Sequence, residues 1–356
     1  STCKVCPAGF YCDLDDHCNG TDYTQPLPCP EGHYCPSSGQ NGTKFATQYP
    51  CPVGTFSNKT QLQAASECTP CIGGTYCETP GLLAPTGPCD ESYFCTAGAR
   101  TATPQDGTTG NICPPGAYCP VGTATPVLCP AGTFSNKTGV AELSGCETCI
   151  RGQYCATPGL LVPTAKCEDR YYCPPGTVTP NLLCPYGFYC PKGSVEPQQC
   201  PSGTYQDQIG QESCKTCPPG YYCDRDDKCL DTNYTMPREC PQGHYCPLGT
   251  EYPTQYPCPA GTFNNVTMLK VEAACLPCLP GTFCDVPGLT APAASCDEGF
   301  YCTRSAVVAA PNDTVTGAIC PAGHYCPKGS GYPLPCAPGS FNGKQGSQSE
   351  ADCDVC

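Results

Sequence analysis

The sequence predicts an array of small disulfide-rich repeats, irregular with short β-strands, stacked as an elongated rod or solenoid. Three observations lead there. Forty of the 356 residues are cysteine, about 11%, above the roughly 8–10% that marks a disulfide scaffold. The cysteines recur at fixed spacings: C-x2-C, as in Cys68/Cys71 and Cys146/Cys149; C-P-x-G-x-Y-C, as in Cys29 to Cys35 and Cys113 to Cys119; and C-P-x-G-T-F followed, a dozen or more residues on, by the next C-x2-C. With 44 Pro, 39 Gly, two Met and no Trp, large apolar side chains are too few for one core at this length, so many small stapled modules are expected instead.

Cutting before each C-x2-C that follows a C-P-x-G-[TS]-[FY] loop divides the chain into modules at 1–67, 68–145, 146–213, 214–274 and 275–352, with 353–356 opening a sixth. A longer period overlies them. CPAGFYCDLDDHC (6–18) returns as CPPGYYCDRDDKC (217–229), and TQYPCPVGTFSNKT (47–60) returns as TQYPCPAGTFNNVT (254–267). The fourth module therefore repeats the first, and the fifth repeats the second. The chain opens with C-K-V-C and closes with C-D-V-C, so further repeats are expected on either side.

Within a module, Pro and Gly exclude long helices and central strands. Only LQAASE (62–67) and LKVEAA (269–274) have the composition of a helical turn. In C-P-x-G, Pro suits the second and Gly the fourth position of a type I turn, and the following aromatic can lie over a nearby disulfide.

Paired cysteines require an oxidising compartment. Seven N-x-[ST] sequons, at Asn19, Asn41, Asn58, Asn136, Asn233, Asn265 and Asn312, agree, because they are useful only on a chain in the secretory pathway. The expected location is extracellular or at the cell surface, with N-linked glycans and no other cofactor. The Ser-Thr-Cys start lacks the features of a signal peptide, so a processed or excerpted chain is expected. A net charge of −14, with no Lys/Arg cluster, excludes nucleic acid and an anionic membrane as partners. No stretch approaches the roughly 18 apolar residues that span a bilayer.

C-x2-C pairs have the spacing of zinc ligands, but the cysteine excess, the sequons and only four His favour disulfides, so no metal is assigned. The acidic runs Asp13, Asp15, Asp16 and Asp224, Asp226, Asp227 cluster carboxylates as Ca²⁺ requires, yet lack the EF-hand pattern and read first as solvated turns. His17 beside one run is Lys228 in the other, and carries no role. No nucleophile, base and orienting group can be placed together, so no enzyme is expected.

On its C-P-x-G-T-[FY] and C-x2-C-x-x-G-x-[YF]-C strings the sequence resembles the ephrin-receptor-like cysteine-rich repeats, relatives of the tumour-necrosis-factor-receptor modules, over essentially its whole length. The resemblance implies short two-stranded pieces cross-linked by a disulfide ladder and stacked end to end. Long tandem arrays of this type also resemble the axial proteins of protist flagellar hairs (mastigonemes).

Each C-P-x-G-[TS]-[FY] cysteine is expected to pair with the first cysteine of the next C-x2-C: Cys51–Cys68, Cys129–Cys146, Cys200–Cys214, Cys258–Cys275 and Cys336–Cys353. The first and fourth modules then hold an odd cysteine, because Thr24 and Thr235 stand where Cys95, Cys173 and Cys302 stand elsewhere. Cys18 and Cys229 are the candidates for the odd thiol, and Cys3 and Cys356 are expected to lack partners. Asn58, Asn136 and Asn265 all fall seven residues after a C-P-x-G cysteine, which places their glycans on equivalent loops. The function that fits is an extracellular structural or assembly protein of a filament, surface appendage or coat, partnered by other chains of the assembly or by itself. The alternative is a receptor or adhesion ectodomain that binds a protein ligand.

Overall fold

The structure is a computed structural model, and it describes residues 5–12, 26–37, 42–225 and 236–356. The chain divides into two compact units, Ser1–Cys167 with Cys173–Pro180, and Glu168–Tyr172 with Asn181–Cys356. Both are built from one element, a hairpin of two strands only two or three residues long. Sixteen two-stranded antiparallel sheets lie among the described residues, and isolated bridges between His33 and Pro50 and between His244 and Pro257 mark two further hairpins.

The hairpin that starts at Cys113 shows how the sequence makes one. Ala117–Tyr118 pairs with Val127–Leu128, with Tyr118 opposite Val127. Cys113 is bonded to Cys119, and the cysteine that opens the next hairpin, Cys129, donates its N–H to the Gly116 carbonyl at 2.9 Å. Gly116 sits at φ +81°, in the left-handed region that only glycine enters without steric cost. In the following hairpin the Thr133 N–H reaches the Pro130 carbonyl at 3.1 Å with Gly132 at φ +85°. Pro is thus the first and Gly the third residue of the turn. This corrects the type I reading of C-P-x-G: a positive φ at the third position belongs to a type II turn.

Successive hairpins are joined by backbone hydrogen bonds. From the Cys113 hairpin to the Cys129 hairpin, Gly116 N–H donates to Ser135 O, Cys119 N–H to Val140 O, and Gly139 N–H returns to Cys113 O, each at 2.8 Å. The second unit repeats the set between the Cys258 and Cys278 hairpins: Gly261 N–H donates to Cys284 O at 2.8 Å, Asn264 N–H to Leu289 O at 2.9 Å, and Gly288 N–H to Cys258 O at 2.8 Å. A strand of two residues cannot satisfy its own polar groups, and the neighbouring hairpin supplies the missing partners.

These hairpins subdivide the sequence modules. The first module holds hairpins opening at Cys6, Cys29 and Cys51; the second holds those at Cys71, Cys89, Cys113 and Cys129. The fourth and fifth repeat this three-then-four arrangement, from Cys217 and from Cys278. The core is made of half-cystines: apart from them, the buried apolar side chains are few and include Leu62, Ala99, Ala117, Phe134, Val140, Phe263 and Ala306. The two segments with helical composition each hold one 3-10 turn, Ala65–Glu67 and Glu272–Ala274. Leu143–Gly145 and Glu350–Asp352 form the same turn, just before the second cysteine of a long loop.

Candidate functional site

Eighteen disulfides form among the described residues, with Cα–Cα separations of 5.7 to 6.2 Å, within the range that bridging requires. They fall into two classes. In one, the first cysteine of a hairpin bonds the residue six places on, as in Cys71–Cys77 and Cys278–Cys284. In the other it closes a loop of 14 or 17 residues: Cys51–Cys68, Cys129–Cys146, Cys200–Cys214, Cys258–Cys275 and Cys336–Cys353. The two cysteines of a C-x2-C go to different partners, Cys68 back to Cys51 and Cys71 forward to Cys77.

The five long-loop hairpins share a feature that sequence reasoning missed. Six residues after the first cysteine, where other hairpins carry the second half-cystine, stand Ser57, Ser135, Gln206, Asn264 and Asn342, all buried. Each side-chain oxygen accepts the backbone N–H two residues on, from Lys59, Lys137, Gln208, Val266 and Lys344, at 2.9 to 3.4 Å. Asn264 also donates through Nδ2 to the His244 carbonyl at 3.1 Å and the Val266 carbonyl at 2.9 Å. A buried polar side chain must be hydrogen-bonded to be tolerated, and here it closes the small turn that the short disulfide closes elsewhere. The signal was available in the sequence as the one polar residue in the second-cysteine slot.

That turn positions the seventh residue. Asn58, Asn136 and Asn265 occupy it and are exposed. In the other two long loops the place belongs to Asp207, paired with Lys215 across the hairpin, and to Gly343. The Asn312 sequon is exposed on a different loop, beside Asp313. Cys3, Cys18 and Cys229, the sequons Asn19, Asn41 and Asn233, and Asp13, Asp15, Asp16, Asp226 and Asp227 lie outside the described residues. Of the acidic runs only Asp224 is described, next to the half-cystine Cys223. Cys356 is exposed and unpaired, with its N–H on the Gly339 carbonyl at 3.0 Å.

Two aspartates stabilise wider loops. Asp106 accepts the N–H of Thr108 and Thr109 at 2.9 and 2.7 Å and the Thr109 hydroxyl at 2.7 Å. Asp313 does the same with Val315 and Thr316. These bonds, the threonine hydroxyl first, hold both carboxyls below the usual carboxylate range. The recurring TQYP segment places tyrosine pairs side by side, Tyr34 with Tyr49 and Tyr245 with Tyr256, ring centroids 5.6 Å apart in both. Desolvation, then the hydrogen bond to Glu272 at 3.1 Å, raises the Tyr245 hydroxyl.

Among the described residues no helix is long and apolar enough to cross a membrane. The density of disulfides places the chain in an oxidising, extracellular setting. A comparison with curated proteins finds no match to the chain. Residues 183–226 match the family described as tyrosine-protein kinase ephrin type A/B receptor-like, a span that holds Cys184–Cys190, the long loop Cys200–Cys214 and Cys217–Cys223. Over that span the chain is similar to the ephrin-receptor-like cysteine-rich domain, and the same two classes of disulfide recur in tandem before and after it.

Proposed function

We propose that the chain is an extracellular structural protein, a disulfide-stapled repeat that forms part of a filament, surface appendage or coat of the kind that a flagellar hair represents. The carrying observation is the constancy of the hydrogen bonds between successive hairpins. Gly54 to Cys77, Gly132 to Cys155, Gly203 to Cys223 and Gly281 to Cys302 are the same bond, from turn glycine to the next second half-cystine, at 2.8 to 3.0 Å. A receptor site requires some element that departs from its neighbours; a scaffold requires each to resemble the last. Repeats that contact mainly their sequence neighbours add up to a quasi-one-dimensional object, so the function proposed is to be long and to present one surface at regular steps, to copies of itself or of a partner chain.

Small-angle scattering on the oxidised chain tests this. A compact domain of this length has a radius of gyration of about 20 Å by the globular scaling law. The scaffold reading expects a clearly larger value with a rod-like cross-section. A value near that of the globule, or saturable capture of a protein ligand by a single module, favours the receptor or adhesion alternative.

A further inference from the structure

We propose that Asn58, Asn136 and Asn265 carry N-linked oligosaccharides, and that the buried polar residue before each of them is what makes the position accessible. Ser57, Ser135 and Asn264 turn inward and spend their side-chain oxygens on the backbone N–H two residues on. The residue between must then face outward. Asn264 and Asn265 show the contrast within one dipeptide: Asn264 is 1% exposed and bonded through both its oxygen and its nitrogen, whereas Asn265 is exposed. Only Asn265 is followed at the second place by a hydroxyl residue, Thr267. In all three loops the sequon asparagine occupies the outward place, seven residues after the first cysteine, and the inward place is never the acceptor of a sequon.

In the modification, the amide Nδ2 bonds to C1 of a sugar carried on a lipid pyrophosphate. The bond from C1 to the pyrophosphate oxygen breaks, the lipid pyrophosphate leaves with the electron pair, and the amide gives up one proton. The finished glycan is bulky and solvated, and the loop it occupies is closed by a disulfide of 17 residues' span. Folding tolerates it at the outward place and not at the inward one.

The proposal rests on the extracellular reading, and the test separates the two. The full chain is expressed behind a secretion signal in a eukaryotic host and analysed as intact glycopeptides before and after amidase digestion, which converts each occupied asparagine to aspartate. Conversion is expected at Asn58, Asn136 and Asn265. Two variants of the fifth loop probe the geometry: Gly343→Asn with Gln345→Thr writes a sequon at the outward place, and Lys344→Thr completes one on the inward Asn342. The first is expected in the medium with one added glycan, and the second in the medium only with Asn342 bare. A secreted, disulfide-bonded chain with the three asparagines bare overturns the proposal and leaves the extracellular reading standing, as does secretion of Lys344→Thr with Asn342 glycosylated. Failure to obtain any secreted, disulfide-bonded chain overturns both.

Discussion

The side chain of Phe134 packs on Cys149, a half-cystine of the hairpin that follows it, together with Cys155 and Leu160. Phe263 stands in the same relation to Cys278, Cys284 and Leu289, Phe94 to Cys113 and Cys119, and Phe283 to Cys296 and Cys302. In these four hairpins the aromatic in the strand after the turn covers the disulfide of the next hairpin, whereas Cys89–Cys95 is covered both by Tyr76 of the preceding hairpin and by its own Tyr93. Backbone hydrogen bonds set the spacing between hairpins, and this contact excludes water from the joint.

Truncating Phe134 to Ala removes that cover. Large-to-small changes at buried aromatics cost about 3 to 5 kcal/mol, but in an array the loss is local and not shared over the chain. Amide exchange is expected to accelerate at Gly132, Ser135, Cys149 and Gly159, whose N–H groups bond across this joint, with little change in other hairpins. Uniform acceleration along the chain would show that the joints are not independent. Phe134→Leu, which keeps most of the apolar volume, should behave nearly as the parent.

The long loops provide the second prediction. Closing a loop of about 15 residues stabilises by roughly 3 kcal/mol through restriction of the unfolded chain, with the mechanism dependent on the model. Cys68→Ser should release one new thiol, at Cys51, and expose the segment 57–67 to proteolysis, while Cys71–Cys77 stays intact. Peptide mapping under non-reducing conditions reads this directly. A map of the parent that joins Cys51 to any residue but Cys68 would refute the pairing.

Turn glycines supply a paired test. A Cβ on Gly116 would lie 2.5 Å from the carbonyl oxygen of Gly159, and a left-handed non-glycine residue costs roughly 1 to 2 kcal/mol before any clash. Gly116→Ala should therefore lose at least that much. Ser92 and Arg170 hold the corresponding position in their hairpins at φ +70° and +77°. Arg170 uses its side chain, donating Nε to the Gly210 carbonyl at 3.1 Å; among the described residues Ser92 has no side-chain hydrogen bond that would offset its strain. Ser92→Gly should gain about 0.5 to 1 kcal/mol, the relief of strain less the added freedom of the unfolded chain, seen as slower exchange of the amide that bonds Cys119.

Much of this was legible in the cysteine spacing, and the reasons for the rest are physical. The C-P-x-G-T-F cysteines stand out because a loop must run from each to the next C-x2-C, and the structure joins them that way. The short Cys-x5-Cys bonds stayed open because six or more cysteines allow too many connectivities to choose among by spacing. The turn starts one residue later than the C-P-x-G pattern predicts, at Pro and not at Cys, because Pro is acceptable at either of two turn positions and only the sign of φ at Gly132 decides. The hairpin itself is not visible as a unit, since bonds such as Gly116 N–H to Ser135 O go to a neighbour and no local propensity reports them. The sequon asparagines are legible from their motif, whereas the inward Ser57, Ser135 and Asn264 that hold them out show in the sequence only as a polar residue six places after the first cysteine.

The last prediction concerns acid. Asp106 and Asp313 have carboxyls lowered from the ordinary value of 3.8 by the hydroxyls of Thr109 and Thr316 and by backbone N–H groups. A group whose pKa is depressed on folding contributes stability that is present above its unfolded value and is lost as pH falls through the folded value. The two loops, 105–110 and 312–317, should therefore keep their order down to about pH 4 and loosen together below it, while a short disulfide turn that holds no carboxylate, such as Cys113–Cys119, does not respond. Exchange at the amides of Thr108, Thr109, Val315 and Thr316 measured across that range is the check. Thr109→Val should bring the Asp106 carboxyl back toward its ordinary value and move the onset for that loop to higher pH, leaving the Asp313 loop unchanged. Asp106→Asn, which retains an oxygen to accept both N–H groups, should abolish the pH response of its loop without opening it, and an Asp106→Asn loop that still loosened below pH 4 would show that some other group controls it.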